Sequence, residues 1–438
     1  MEPIKIGLLG LGTVGGGTVN VLTRNAQEIA RRAGRGIQIS HAAAKYFNPN
    51  LIHGLDQISH ISDDAWAVVN DPEVKIIVEL IGGDTIARDL ILKAIENGKQ
   101  IVTANKALIA KHGNAIFKAA QNKGVTVAFE AAVAGGIPII KALREGLTAN
   151  HIHWIAGIIN GTANFILTEM RTKGRNFEEV LAEAQACGYA EADPTFDVMG
   201  IDAAHKLTIL ASIAFGIPLQ FDKVYTEGIN HIDTIDVAYA QELGYRIKLV
   251  GITKHVDTGI ELRVHPALIP EPCLLANVDG VMNAVLVQGD AVGSTLYYGA
   301  GAGSEPTASA VVADIVDVVR TLTTDPEHRV PHLAFQPKEM SNLPILSIEQ
   351  VETAYYLRLN VEDKVGVMAG IASILATEGI SIEAIQQKEQ PDGAQWVPLI
   401  MLTHEVTELC MNKAIQRIET LEHVKGSVVR IRLEQLDS

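Results

Sequence analysis

Ile4-Lys5-Ile6-Gly7-Leu8-Leu9-Gly10-Leu11-Gly12-Thr13-Val14-Gly15 is the stretch on which the fold turns. Apart from Lys5, residues 4–9 form an uninterrupted apolar run, as a strand buried on both faces requires. The run enters a G-x-G-x-x-G turn, and a helical pattern follows. Gly10 permits the tight turn, Gly12 lets a pyrophosphate approach the backbone, and Gly15 lets the helix pack on the strand. Amides at the helix start, around Thr13 and Val14, then face the phosphates. Placement between a strand and a helix is what separates this turn from an ordinary glycine-rich one.

Outward from it, short apolar runs at 37–44, 75–80, 100–104 and 125–131 read as further buried strands. Helix candidates lie between them at 13–33, 85–97 and 106–123. Such alternation implies a parallel sheet covered on both faces. The expectation is an α/β chain whose residues 1–132, with a returning helix at about 304–322, form a Rossmann-type dinucleotide-binding domain. The end of the second strand discriminates between cofactors, because NAD sites place a carboxylate there for the ribose 2′-hydroxyl. Here it reads Ala42-Ala43-Ala44-Lys45-Tyr46. Lys45 suits a 2′-phosphate, so NADP is favoured over NAD; the alternative is a solvated surface lysine.

Residues 133–303 mix helical spacing (177–187, 201–215) with strand-like runs (260–266, 284–288) and read as an α+β catalytic and dimerisation domain. A glycine-rich stretch at 298–303 leads into a helix-like segment at 306–322. Prolines 326, 331, 337 and 344 mark 323–350 as a linker. The remainder, 351–438, carries a β-α-β-β-α-β pattern with strands at 355–361, 380–388, 396–403 and 427–434 and helices at 366–378 and 407–421. Val367, Ile371, Ile374 and Leu375 fall on one helical face.

Bulk properties narrow the function. A chain of 438 residues with a formal charge of −15 repels phosphate backbones, so no nucleic-acid partner is expected. The longest apolar stretches fall short of the ~20 residues that span a bilayer, and no leader-like segment precedes the first strand; the expectation is a cytoplasmic protein without a membrane partner. Cys187, Cys273 and Cys410 are widely spaced, which excludes a disulfide framework and offers no zinc-type pair. Cys187 is expected to be a small buried residue ending a helix.

The chemistry concentrates between Gly188 and Lys206. Asp202 and Lys206 are four apart on a predicted helix and share a face, while Glu191 and Asp197 sit in the loop before it. Such a group can bind a substrate ammonium and move a proton at a neighbouring oxygen; the plainer alternative is a surface ion pair beside an acidic loop. A lysine serving as acid and base needs a depressed pKa, yet Asp202 would raise it. Burial and repulsion from a second lysine would have to outweigh that attraction.

At this point the chain resembles the homoserine dehydrogenases. The resemblance rests on Gly10–Gly15, Thr103-Ala-Asn-Lys106, Phe129-Glu130-Ala-Ala-Val133-Ala-Gly135-Gly136-Ile137-Pro138, Asn160-Gly161-Thr162-Ala-Asn164, the Gly188–Lys206 segment and Gly301-Ala-Gly303. It implies NAD(P)-dependent interconversion of L-homoserine and L-aspartate 4-semialdehyde in threonine, methionine and isoleucine biosynthesis. It further implies that Lys206 exchanges the proton, that Asp202 positions the reacting hydroxyl and that Lys106 lies beside the nicotinamide. Glu191, Asp197, Gly161 and Thr162 would contact substrate. Gly82, Gly188 and Gly303 would join the cofactor site. Glu130 with the carbonyls of Val133, Gly135 and Ile137 would hold a monovalent cation, typically Na+. Family members usually carry an arginine near the end of the second strand; Lys45-Tyr46 stands there instead, which leaves the NAD–NADP preference open.

The C-terminal module, with Asp363-Lys364-Val365-Gly366 at a strand-to-helix turn, resembles an ACT domain of ferredoxin-like βαββαβ form. That implies an amino-acid effector, L-threonine for this pathway, held at backbone amides near Gly366, or else a pairing module that binds nothing. A homodimer or homotetramer is expected. Other readings stay open on the residues alone: a thiol-dependent aldehyde dehydrogenase using Cys187, a non-enzymatic amino-acid sensor, and a 2-hydroxy-acid dehydrogenase, for which no His–carboxylate pair is evident.

Overall fold

The structure, a computed structural model, describes residues 2–388 and 395–436; the limits expected at residues 1 and 438 lie outside them. The chain divides into two compact units. The first gathers residues up to Gly161, Asp202–Val224 and Val281–Leu343; the second gathers Thr162–Ile201, Tyr225–Gly280 and the chain from Pro344 onward.

In the first unit, parallel strands lie in the order His60–Ser62, Ile37–Ala43, Ile4–Leu9, Ile76–Glu79, Gln100–Thr103, Val127–Ala128. The order reverses between Ile4–Leu9 and Ile76–Glu79, and a ligand crevice opens at the carboxyl ends beside such a reversal. Ile76–Glu79 and Gln100–Thr103 are buried along their whole length, because helices cover both faces of a parallel sheet. The helix Ser304–Thr321 belongs to the same core. Its first residue donates from Ser304 Oγ to the Thr13 carbonyl at 2.8 Å, and Glu305 pairs with Arg24. Ile152–Ile158, Met282–Gly289 and Gly293–Ala300 form an antiparallel set.

Several boundaries differ from the sequence expectation. The helix expected over 13–33 breaks at Asn25 into Thr13–Arg24 and Ala26–Ala33; asparagine competes for backbone groups and favours such junctions. The strand expected over 125–131 shrinks to Val127–Ala128, because Glu130 turns inward and its backbone N–H donates to Asp314 at 2.7 Å. The glycine-rich stretch is partly strand, since Tyr298–Ala300 pair with Met282–Ala284. The helix after it starts at Ser304, with Pro306 in its first turn, where a missing N–H costs nothing. The segment 323–343 contains only short turns but is held down: Arg329 donates to the Gly124 carbonyl at 3.0 Å, and His332 accepts from the Val127 N–H at 3.1 Å.

In the second unit, the hairpin Tyr245–Val256/Gly259–Pro270 pairs through its second strand with Val429–Leu433. That strand continues into Glu352–Glu362, Trp396–Thr403 and Ile382–Gln387. With helices Val367–Thr377 and Glu408–Ile418, this is a βαββαβ module in ferredoxin-like strand order, and Val367, Ile371, Ile374 and Leu375 line its core. Buried charges bind the module to the rest of its unit. Arg432, fully buried, reaches Glu408 at 2.5 and 2.8 Å, Glu227 at 2.7 Å and the Tyr225 hydroxyl at 3.1 Å. Arg263 pairs with Glu434, and Arg358 and Tyr356 converge on Asp236. Among the described residues no helix is long and apolar enough to cross a membrane.

Removing one member of a buried ion pair leaves the other charge desolvated and uncompensated. Arg432→Ala is therefore expected to destabilise the second unit by about 3–5 kcal/mol, read from urea unfolding of the full chain. A loss under about 1 kcal/mol would mean that the network is screened like a surface pair.

Candidate functional site

The turn after Ile4–Leu9 has the form the sequence implies. Gly10 adopts φ +100°, and a Cβ there would stand 2.7 Å from the Leu80 carbonyl oxygen. A Cβ on Gly15 would lie 2.0 Å from the Gly10 carbonyl oxygen, so any side chain would push helix and strand apart. Beside Gly12 there is open space, and no side chain caps the helix that starts at Thr13. Uncapped helix amides facing open space suit a pyrophosphate. Thr13 is exposed and Val14 half-buried. The Ser304–Thr13 hydrogen bond brings Gly303, at φ +126°, next to this turn. Lys45 is exposed, two residues beyond Ile37–Ala43, at the carboxyl end of the strand beside Ile4–Leu9. Gly82 lies on the loop after Ile76–Glu79 with φ +74°. The residues present therefore fit a nicotinamide dinucleotide.

Helix Ile201–Phe215 places Asp202 in its first turn and Lys206 one turn later. Lys206 Nζ lies 2.7 Å from Asp202 Oδ2 and donates to the Ile159 carbonyl at 2.7 Å. Lys106, the first residue of helix Lys106–Lys123, brings its Nζ to 3.1 Å from Asp202 Oδ1. Asn160 Nδ2 donates to Asp202 Oδ2 at 3.0 Å. Asp202 and Lys206 are buried, and Lys106 is about a third exposed, at 35% of its side chain. Burial alone would push the Asp202 carboxyl up; Lys206, Lys106 and the hydrogen bonds from Lys206 and Asn160 outweigh it and hold the carboxyl well below the usual range. Two cations thus share one buried anion. Asn160 and the Ile159 carbonyl received no role from the sequence, although Asn160 opens one of the stretches that carried the resemblance.

Other expected site residues are placed as follows. Gly161 starts helix Gly161–Lys173, where a Cβ would approach the Val281 carbonyl oxygen to 2.8 Å. Thr162, Gly188, Glu191 and Asp197 belong to the second unit. Thr162 donates its hydroxyl to the Tyr189 carbonyl at 2.7 Å. Gly188 has φ +75°, and Glu191 is exposed. Asp197 is half-buried on the short helix Thr195–Val198, not in a loop, because Asp193 accepts from the Thr195 N–H and starts that turn. Cys187 is exposed at the end of helix Phe177–Ala186, contrary to the expectation of a buried cysteine; it lies between exposed Ala186 and Gly188, where the chain folds back so that the Tyr189 and Ala190 N–H groups reach the Ala184 carbonyl.

Glu130 is buried and accepts from the N–H groups of Ile140 and Lys141 at 2.9 and 2.8 Å. Burial, followed by the nearby Asp314 charge, pushes its carboxyl up to about 7. Ala134 and Gly135 are both left-handed, at φ +54° and +51°, which turns the peptides between Val133 and Ile137 sharply. The Ile137 carbonyl accepts from the Ile139 N–H at 2.8 Å. The expected donor set, one carboxylate and three carbonyls, consists of oxygens only, and that chemistry fits a hard cation.

Comparison with known proteins agrees with this geometry. Residues 10–130 match the family model described as homoserine dehydrogenase, NAD binding domain, residues 138–316 the homoserine dehydrogenase model, and residues 355–423 the ACT domain model. A homoserine dehydrogenase of Pseudomonas aeruginosa is 65% identical over 437 residues, covering 100% of both chains. The crystal structure of a homoserine dehydrogenase from Thiobacillus denitrificans superposes with a TM-score of 0.94 at 64% identity, covering 100% of this chain and 99% of that one. A more distant hyperthermophilic archaeal homoserine dehydrogenase, solved in complex with NADPH, has a TM-score of 0.62 at 25% identity and covers 74% of this chain and 98% of its own. From the glycine turn to the C-terminal module, the chain belongs to the homoserine dehydrogenase family, nicotinamide-dependent oxidoreductases that act on a CH–OH group.

Proposed function

We propose that Lys206 exchanges the proton at the substrate oxygen while L-homoserine and L-aspartate 4-semialdehyde interconvert, with Asp202 fixing Lys206 and Lys106 placed beside the nicotinamide. The observation that carries this reading is the buried Lys206–Asp202–Lys106 cluster. Nicotinamide, when bound, supplies or takes the hydride. The chain's own residues handle charge and proton. Lys206 donates to the Ile159 carbonyl and to the Asp202 carboxylate, and in its ammonium form carries a third N–H. That suits a proton donor in the direction of aldehyde reduction, where negative charge grows on the carbonyl oxygen. The positive charge of Lys106 stabilises the same developing alkoxide. Glu191 and Asp197 remain the partners of the substrate ammonium, and Gly161 and Thr162 further substrate contacts, roles that rest on the family stretches rather than on a distance. Gly188 stays with the cofactor on the same ground.

NADP is the preferred cofactor in this reading. Lys45 supplies positive charge at the strand end, and the archaeal relative was solved with NADPH. A monovalent cation, Na+ in the first instance, is assigned to Glu130 with the Val133, Gly135 and Ile137 carbonyls. The C-terminal module takes L-threonine as a feedback inhibitor. Its helix Val367–Thr377 begins after Gly366, with φ +93°, open space around it and no capping side chain; the Val367 N–H reaches the Lys364 carbonyl at 3.4 Å, and the next amides of the first turn are the ones a ligand carboxylate would take. The chain works as a homodimer or homotetramer in the cytoplasm.

Lys206→Met should lower kcat by roughly 10²–10⁴-fold when assayed well below its own Tm, which should fall because Asp202 loses a buried partner; steady-state assays in both directions check this, and near-native turnover would remove Lys206 from the chemistry. Because the Asp202 carboxyl is held below its ordinary range, the acid limb of the rate profile should not follow an ordinary aspartate, and Asp202→Asn should lower kcat without creating such a limb. For the cofactor, Lys45→Asp should move the ratio of kcat/KM values toward NAD by about tenfold or more; an unchanged ratio would make Lys45 a bystander. For the effector, truncation is uninformative, since it would strip Asp236, Glu227 and Arg263 of their buried partners. Val365→Asp instead puts negative charge on a fully exposed neighbour of the amide turn. Threonine should inhibit the native chain, and this variant should need a markedly higher concentration; equal sensitivity would place the effector elsewhere.

A further inference from the structure

Glu79 ends a strand that reads Ile76-Ile77-Val78-Glu79 and is completely buried. A carboxyl in such a place is costly unless hydrogen-bonded, and its partners here are neutral donors. The N–H groups of Ile81 and Gly82 donate to Oε1 at 3.0 and 3.2 Å, and the Thr103 hydroxyl donates to Oε2 at 2.7 Å. Thr103 is the register partner of Glu79 on the neighbouring strand and is also fully buried. Burial raises the Glu79 carboxyl pKa, against the opposing effect of these donors.

The hydrogen bonds continue until they close on themselves. Thr103 Oγ1 accepts from the Asn105 N–H at 3.0 Å. Asn105 Nδ2 donates to the Gly83 carbonyl at 2.6 Å, and Asn105 Oδ1 accepts from the Leu108 N–H at 3.1 Å, capping the helix that begins with Lys106. The ring therefore joins two loops at the carboxyl edge of the sheet. One carries Gly82 and Gly83, both at φ +74°; the other delivers Lys106 to Asp202.

We propose that Glu79 is a positioning residue for the dehydrogenase reaction, acting through Lys106 by locking the 80–84 loop to the N-terminus of the Lys106 helix. The inference rests on the reading of Lys106 given under Proposed function. It requires a group that only accepts at both oxygens. Glutamine keeps the shape but turns an NH₂ toward either two amides or the Thr103 hydroxyl, whose own proton then loses its acceptor.

A double-mutant cycle in the full-length enzyme tests it. Glu79→Gln in the native background should lower kcat by roughly 10–100-fold with the KM for homoserine within about twofold of native. In a Lys106→Ala background the same change should cost less than about twofold, since a residue acting through Lys106 has nothing left to position. In the cofactor-free protein, amide exchange should accelerate at both 80–84 and 105–109. A native kcat for Glu79→Gln, or an equal penalty in both backgrounds, overturns the inference. Native activity of Lys106→Ala alone would instead overturn the role of Lys106, and that failure is visible without any change at Glu79. Should Glu79→Gln fail to fold, Thr103→Val is nearly isosteric, breaks the ring from its other side and carries the same expectations.

Discussion

A single buried carboxylate, Asp202, organises the charged cluster of the first unit. Two ammonium groups and one amide converge on it, from helix Ile201–Phe215, from helix Lys106–Lys123 and from Asn160. One anion between two cations leaves a net positive charge in a desolvated place. Such a site is worth little as a stabilising ion pair, because desolvation of three charges offsets much of the attraction. On the catalytic reading proposed for it, its value lies in being fixed before substrate arrives: charge growing on a substrate oxygen would meet donors that need no reorganisation. The depressed folded-state pKa of Asp202 has a second consequence. Its contribution to stability is complete above the ordinary carboxylate value of 3.8 and is lost only as pH falls through the lower folded value. The cluster therefore stays intact across the range in which most enzymes operate.

How each partner reaches Asp202 explains what was legible in the sequence. Lys206 lies one turn along the same helix, so i,i+4 spacing exposes the pair directly. Lys106 comes from a strand end some hundred residues earlier, and only the family resemblance placed it there. Glu79 escaped both routes. Its tie to Thr103 follows from strand register, which a one-dimensional reading does not provide, and it sits in an apolar run that reads as an ordinary buried strand. The strand Tyr245–Val256 of the second unit was not read from the sequence, for a related reason. Lys248 stands in the middle of Tyr245–Val256 and is 1% exposed, paired with Asp279 at 3.0 Å and donating to the Asn164 side-chain oxygen and the Val278 carbonyl. Glu261, Arg263 and His265 alternate along Gly259–Pro270 like a solvent face, yet all three are buried. Polar residues satisfied by distant partners defeat hydrophobic periodicity.

The glycine turn was the most legible feature because its constraints are local. Gly10 and Gly15 meet one another within six residues, and their requirement for a missing Cβ is written in the sequence itself. The boundaries that shifted at Glu130 and at Ser304 are places where a side chain or a neighbouring strand from elsewhere in the chain set the end of an element.

The buried charges of the second unit bear on how an effector at the C-terminal module would act. Arg432 and Glu434 stand on or beside the module's last strand, and Tyr356 and Arg358 on its first; their partners Glu227, Asp236 and Arg263 belong to the segments that precede and form the long hairpin. Breaking any one of these pairs costs far more than a surface contact, so the module cannot swing free as a tethered lobe would. An effector at the Gly366 turn must then work through small displacements of the strand Glu352–Glu362, which ends at that turn and carries Tyr356 and Arg358. Regulation in such an arrangement is a strain passed along a shared sheet, and its size is limited by the differential affinity of the effector for the two states of that sheet.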